Sequence, residues 1–425
     1  MSLTRIQLPL PFPDAPRPRP RWEALEFAMN PFPESGVATG VDYNEHQKKE
    51  IHSINEWLRK TVDAEAKQWR PLLIKGSIGV GKTHVLRRIE RVIDGSSKHA
   101  SQGEVGVSYH IVTGLGVRNL LLSNILLEAL QAPLPGREES AEESGLPLVH
   151  ETLEALRKSR EQDPEEHPLK ALPRTSPLRA PLKKILLASK RGEVEQLFSS
   201  WLMRRDLTRT ALERIGAHGR LEGEGEAVRA YAHMFRLAHK ALDFRVWIML
   251  LDQIEDLWNN KEVTPLKRAR FLTDLRTLVD EGLEGAPIVP VLAWNTEVSV
   301  AGRVSAIDVE EKVASEYRAL SARLPKPVDL PMLLINQHAY SFAASYIDAV
   351  GSARSDSKTQ MLAALKQDQD AILARVPERG NGRIGDRVNQ RAWLDALREW
   401  AEEPAEGNAS DPTPRLRRAA NVRLR

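Results

Sequence analysis

Apolar residues recur along this chain in two periods, and the order in which the periods alternate predicts an architecture. Over residues 44–62, Ile51, Ile54, Trp57 and Leu58 fall at three- and four-residue spacings, the mark of a helix with one buried stripe. The run 71–74 (PLLI) is short and continuously apolar and enters a glycine loop, so it predicts a buried strand. Residues 83–93 read as the helix after that loop. A second strand is expected over 106–113, followed by a helix through Leu121, Leu122, Ile125, Leu126 and Leu130. The strongest strand pattern is 246–251 (VWIMLL), which ends in Asp252. A helix over 266–281 and a strand over 288–294 follow. Pro290 is awkward inside that strand, because a proline has no N–H for a ladder. After Arg323 comes a short run at 328–330, and from Asn336 to about Trp400 the pattern is helical. Strands alternating with helices predict an α/β fold, a parallel sheet covered by helices on both faces. The strandless end predicts a separate helical lid.

Composition divides the chain further. Residues 1–40 are rich in proline, and repeated X-Pro disfavours helix, so they read as an extended arm. Residues 41–131 form the first part of the core. Residues 132–240 read as a mostly helical insertion whose segment 133–181 is crowded with proline and charge. That segment reads as exposed, with one short helix around Leu153, and free to be unstructured. Helical periodicity resumes over 182–214 and 226–242, separated by a glycine-rich turn at 218–225. Residues 241–330 complete the core, 331–403 form the lid, and 404–425 are a basic tail.

Bulk numbers exclude some classes. The length of 425 residues suggests two or three domains. A hydrophobic share of 41% against 28% charged is that of a globular protein. No stretch approaches a membrane span, and the proline-broken start lacks the apolar core of a signal peptide. The chain has no cysteine, which removes thiol catalysis and thiolate metal sites. A cytoplasmic location is expected. The net charge of +3 is uninformative, but the stretch 412–425, with five arginines and no acid, is either a contact for nucleic-acid phosphates or a solvated end.

Candidate chemistry concentrates in two places. Gly76-Ser77-Ile78-Gly79-Val80-Gly81-Lys82-Thr83 matches the P-loop pattern in full, between an expected strand and an expected helix. Glycines let backbone N–H groups wrap phosphates without Cβ clashes. Lys82 is expected to reach the β- and γ-phosphates of ATP, and the Thr83 hydroxyl to hold Mg²⁺. His84, next in line, is grouped with the loop and is most simply a helix residue. Asp252 closes the apolar strand as a Walker B acid would, placing a carboxylate on Mg²⁺. Gln253 follows it where many ATPases carry the glutamate that orients water. Either Glu255 supplies that base, or hydrolysis is slow and the nucleotide acts as a switch.

With the P-loop, the run 252–257 (DQIEDL) and a strand ending in Asn295, the chain resembles AAA+ ATPases and their STAND relatives. Nearest are origin-recognition-type ATPases and the ATPases of bacterial phage-defence systems. The resemblance implies a sensor-1 role for Asn295, between the Walker B acid and the γ-phosphate. It makes Arg323, with Arg318 behind it, the candidate arginine finger for a neighbouring subunit. Arg383 and Arg387 fall in a segment that resembles sensor 2, and Asn30-Pro31-Phe32 in one that lines an adenine pocket. The stretch from Thr83 to Asp252 departs from the family pattern, being far longer than one strand and two helices need. No guanine-reading motif is present, and the 11 histidines show no metal spacing.

The function expected is that of an ATP-binding and hydrolysing AAA+-type ATPase. It would act as an oligomeric regulator or remodeller in a DNA-linked process such as phage defence, transposition or replication initiation. The alternative is a STAND-like switch that recruits a separate effector. Expected partners are further copies of the chain, a protein from the same operon, and DNA, with no membrane.

Overall fold

A computed structural model of the chain describes residues 19–33, 45–63, 68–97, 105–112, 121–132, 146–162, 168–188, 191–223, 225–242, 244–295, 308–350, 356–378 and 382–404. They fall into two compact units. The larger runs from Gln47 to Pro331, and the smaller joins the chain up to His46 with that from Met332 onward.

The first described helical turn, α1 (Arg21–Ala24), belongs to the smaller unit. The larger unit opens with α2 (Lys48–Val62), which buries Ile51 and Ile54. It continues through β1 (Leu72–Gly76), α3 (Lys82–Ser97), β2 (Val105–Ile111) and α4 (Leu122–Gln131). Five helices follow: α5 (Pro147–Gln162), α6 (Arg179–Leu187), α7 (Arg191–Leu202), α8 (Arg209–Ile215) and α9 (Glu226–Ala241). Then come β3 (Val246–Asp252), the turn α10 (Asp256–Asn259), α11 (Pro265–Leu283), β4 (Ile288–Asn295), α12 (Asp308–Ser321) and β5 (Val328–Asp329). Thr264 sets the start of α11: its hydroxyl accepts from the Lys267 amide at 3.4 Å, with Pro265 in the first helical position.

The five strands form one parallel sheet in the order β2-β3-β4-β1-β5. β3 and β4 are buried at every residue, as their unbroken apolar runs demand. Each large aliphatic chain buried there contributes roughly 1.5–3 kcal/mol. Pro290 is accommodated in β4, a central strand. Trp247 donates to Pro287, which turns the N–H of residue 289 toward β3 and position 290 toward β1. Pairing with β1 begins only at Val291, so the missing N–H falls ahead of the ladder.

Within the segment expected to be an exposed insertion, the described residues 146–162 and 168–181 instead contribute to the core. Leu146, Leu148, Val149, Leu153 and Leu156, around and along α5, are each no more than 1% exposed and share one apolar cluster with the sheet. Leu169, Leu172 and Leu178 join it. The reason lies in α9, whose Val228, Ala230, Tyr231, Ala232, Met234, Phe235 and Leu237 are all fully buried. A helix buried on most of its surface needs cover on more than one side, and α4, α5 and α11 supply it. The helical stretch expected over 182–214 divides into α6, α7 and α8.

The smaller unit contains α1, β6 (Leu333–Leu334), a π-helical turn (Ile335–Ala339), α13 (Tyr340–Ala349), α14 (Ser357–Leu373), β7 (Arg383–Ile384), β8 (Arg387–Val388) and α15 (Gln390–Glu402). Its end is not strandless: β6, β8 and β7 form a small antiparallel sheet. Two-residue strands carry too little periodicity to be seen in sequence. Asn389 caps α15, its side chain accepting from the Arg391 and Ala392 amides. Part of the presumed arm is also structured. Phe27 and Phe32 are buried with Trp393 and Trp400, and the Arg21 guanidinium lies 4.3 Å over the Trp400 ring. Residues 405–425, most of the basic tail, lie outside the described residues.

Candidate functional site

The glycine loop leaves the C-terminal end of β1 at Gly76 and becomes α3 at Lys82. Gly79 (φ 83°) and Gly81 (φ 95°) hold left-handed backbone that a side chain would resist. At Gly76 a Cβ would lie 2.5 Å from Val80 Cγ2, so a larger residue there would force the loop to shift. Val80 is fully buried, and its carbonyl accepts from Gln47 Nε2 at 3.0 Å, which ties the loop to the residue before α2. Ile78 is exposed at the loop's outer edge, while Ser77 and His84 are half-buried. His84 sits in the first turn of α3, as a helix residue.

The Lys82 ammonium donates to the carbonyls of Gly76 and Ser77, each at 2.9 Å. It is buried within its own loop. Thr83 Oγ1 donates to Asp252 Oδ2 at 2.6 Å. The two are far apart in sequence, and β4 separates their strands in the sheet. The end of β4 fills that gap: Asn295 is paired with Gly76 and is 2% exposed. Thr83, Asp252 and Asn295 thus meet at one edge of the sheet, beside the loop and the N-terminal turn of α3, where backbone dipoles favour an anion.

Two features around Asp252 were not read from the sequence. Tyr109, on β2, donates its hydroxyl to Asp252 Oδ2 at 2.7 Å, and the Arg87 guanidinium lies 3.5 Å from the centroid of the Tyr109 ring. Burial, with the hydrogen bond to Asp252 and its charge, holds the Tyr109 phenol above its ordinary range. Only the register that sets Ile111 against Asp252 brings Tyr109 there, and no local pattern encodes it. The backbone of Gln253 is the second feature. Its φ of 58° is left-handed, and its amide donates to Asp252 Oδ1 at 2.9 Å. A non-glycine residue in that region is strained by about 1–3 kcal/mol. The cost is borne where β3 must turn sharply and keep its terminal carboxylate fixed.

Glu255 follows one turn later. It is 8% exposed, and among the described residues its Oε2 has no hydrogen-bond partner. Burial raises its carboxyl above the usual range, opposed in part by a backbone hydrogen bond and by the nearby Lys82 charge. A buried acid with an unpartnered oxygen, within electrostatic reach of Lys82 and Asp252, suits proton transfer.

The candidate arginines stand each within its own unit. Arg323 donates from Nε to Asp280 Oδ1 at 2.5 Å and from Nη1 to the Ala319 carbonyl at 2.7 Å, on the surface of the larger unit. Arg383 and Arg387 lie on β7 and β8 of the smaller unit, and Arg383 Nε donates to Gly385 at 3.4 Å. Asn30 and Phe32 are engaged within the smaller unit, Asn30 Nδ2 with Glu402 at 2.8 Å and Phe32 against Trp400. Among the described residues no helix is long and apolar enough to cross a membrane.

No protein-family model matches the chain, and no curated protein matches it. Among solved structures the chain is similar to the Aeropyrum pernix ORC2 protein, determined as ADPNP-ADP complexes. The identity is 12% and the TM-score 0.36, over 88% of this chain and 72% of that one.

Proposed function

We propose that this chain is an ATP-binding and ATP-hydrolysing P-loop ATPase of the AAA+ type. The observation that carries the reading is the Thr83–Asp252 hydrogen bond of 2.6 Å beside a loop whose Gly79 and Gly81 hold left-handed backbone. A hydroxyl and a carboxylate so placed would hold Mg²⁺ beside a bound phosphate. Lys82 would exchange its two loop carbonyls for the β- and γ-phosphates. When bound, the metal neutralises phosphate charge. The chain's own residues then divide the remaining work: Asn295 orients, Glu255 accepts a proton from the attacking water, and Tyr109 holds Asp252 in place.

Arg323 would complete the site of a neighbouring copy, which makes the active form an oligomer, with Arg383 or Arg387 as further phosphate contacts. A cytoplasmic regulator or remodeller in a DNA-linked process, with a protein partner from the same operon, is the role we infer. One observation favours the other reading, a STAND-like switch with slow hydrolysis. Gln253, strained and neutral, stands where a base is expected. DNA-stimulated turnover separates the two, because a switch gains nothing from DNA.

Isothermal titration with ATP and Mg²⁺ tests the common core. Lys82→Ala is expected to weaken binding by roughly 10- to 100-fold or more, the worth of charge-assisted phosphate bonds. Unchanged affinity would overturn the P-loop assignment.

A further inference from the structure

A cavity of about 760 Å³ opens on the larger unit, away from the phosphate loop and sharing no residue with it. Its walls are the loop at 174–177, the first turn of α6 and the first turn of α9. Arg174, Arg179, Lys183 and Arg229 line it, with His218, against one carboxylate, Glu226. That carboxylate is directed to backbone, accepting from the Gly223 amide at 3.2 Å. Arg179 donates to the Leu172 carbonyl at 3.1 Å, and Arg229 lies 3.9 Å from Glu281. Among the described residues, Arg174 and Lys183 have no carboxylate partner.

The floor is built. Ser176 lines the cavity at 7% exposure, its Oγ 2.8 Å from His233 Nδ1, and His233 Nε2 is 3.0 Å from Glu281 Oε2. In the tautomer whose Nε2–H donates to Glu281, Nδ1 accepts from the Ser176 hydroxyl, whose oxygen in turn accepts from the Leu178 amide at 3.3 Å. This buried chain fixes the loop from which Arg174 projects and gives the cavity a rigid base.

Four like charges converging on one cavity repel one another, and an anion relieves that repulsion. Arginine forks and a lysine suit phosphate oxygens better than a single carboxylate. The helix starts of α6 and α9 add positive dipole ends. The volume is that of a small-molecule pocket. We propose that this cavity is a second anion site, which takes a small phosphate-bearing ligand of nucleotide size.

The test uses the full chain carrying Lys82→Ala, so that the phosphate loop contributes little, with inorganic pyrophosphate as probe in isothermal titration. Residual binding at the loop is unaffected by substitutions in the cavity, so the comparison reads the cavity alone. Saturable binding is expected, weakened at least about tenfold when Arg174→Glu and Lys183→Glu are added. Both side chains are exposed, so the thermal melt should not move, and the paired alanine variant gives a smaller loss in the same direction. Three results overturn the proposal. Pyrophosphate does not saturate, its affinity is indifferent to the charge reversals, or single-stranded oligodeoxythymidine binds the cavity and pyrophosphate fails to displace it.

Discussion

Glu255 concentrates the argument at the scale of single residues. Its raised carboxyl means the folded protein holds this proton more readily than the unfolded chain does. Stability is therefore full below the ordinary glutamate range and is lost as pH rises from there through the folded value. Glu255→Gln removes that loss, so its Tm should exceed the parent's at neutral pH and converge on it in acid. If Glu255 is the base, the same variant loses about 10²–10⁴ in kcat and keeps its ATP affinity. Turnover of the parent should rise with pH through a value above the ordinary glutamate range. A Tm gain without a kcat loss would make the residue a buried acid and nothing more. Gln253 predicts the reverse of most surface changes. Gln253→Gly releases left-handed strain and should stabilise, or leave unchanged, a protein melted in urea, by up to about 1 kcal/mol.

Among the elements, α5 carries the instructive difference. Leu146, Val149, Leu153 and Leu156 stand at spacings of three, four and three, a helical stripe that was present in the sequence. The surrounding proline and charge made the segment read as exposed, because composition reports an average and burial depends on one face. Leu153→Ala should cost about 2–5 kcal/mol in urea melts, as a cavity in the main core does. Deletion of residues 137–179, neutral for an exposed loop, is expected to prevent folding. A deleted chain that melts like the parent would show that α9 needs no such cover.

For the whole molecule, the position of Arg323 bears on whether neighbouring copies act together. Arg323 is held by Asp280, an exposed pair worth at most about 1 kcal/mol, so its release toward a neighbour costs little. If it serves a second copy, specific activity should climb with protein concentration to a plateau. Arg323→Ala should then lose most turnover and keep ATP affinity, since a finger acts on the transition state. Mixing it with Lys82→Ala protein should restore part of the activity. Constant specific activity at all concentrations, indifferent to Arg323, would remove the oligomer.

The sequence by itself determined the parallel α/β fold, the strands β1 and β3, the glycine loop and Asp252. Each is written locally: a buried parallel strand is an unbroken apolar run, and a phosphate loop needs glycines at fixed offsets from a lysine. The tertiary structure alone decided what pairs those strands and what surrounds them. Strand order set Asn295 between the loop and the acid, and register brought Tyr109 to Asp252. Packing made core of a proline-rich segment and joined Ser176, His233 and Glu281 at the floor of a basic cavity. These contacts join residues that lie tens of positions or more apart, and no local periodicity records which distant side chain will arrive.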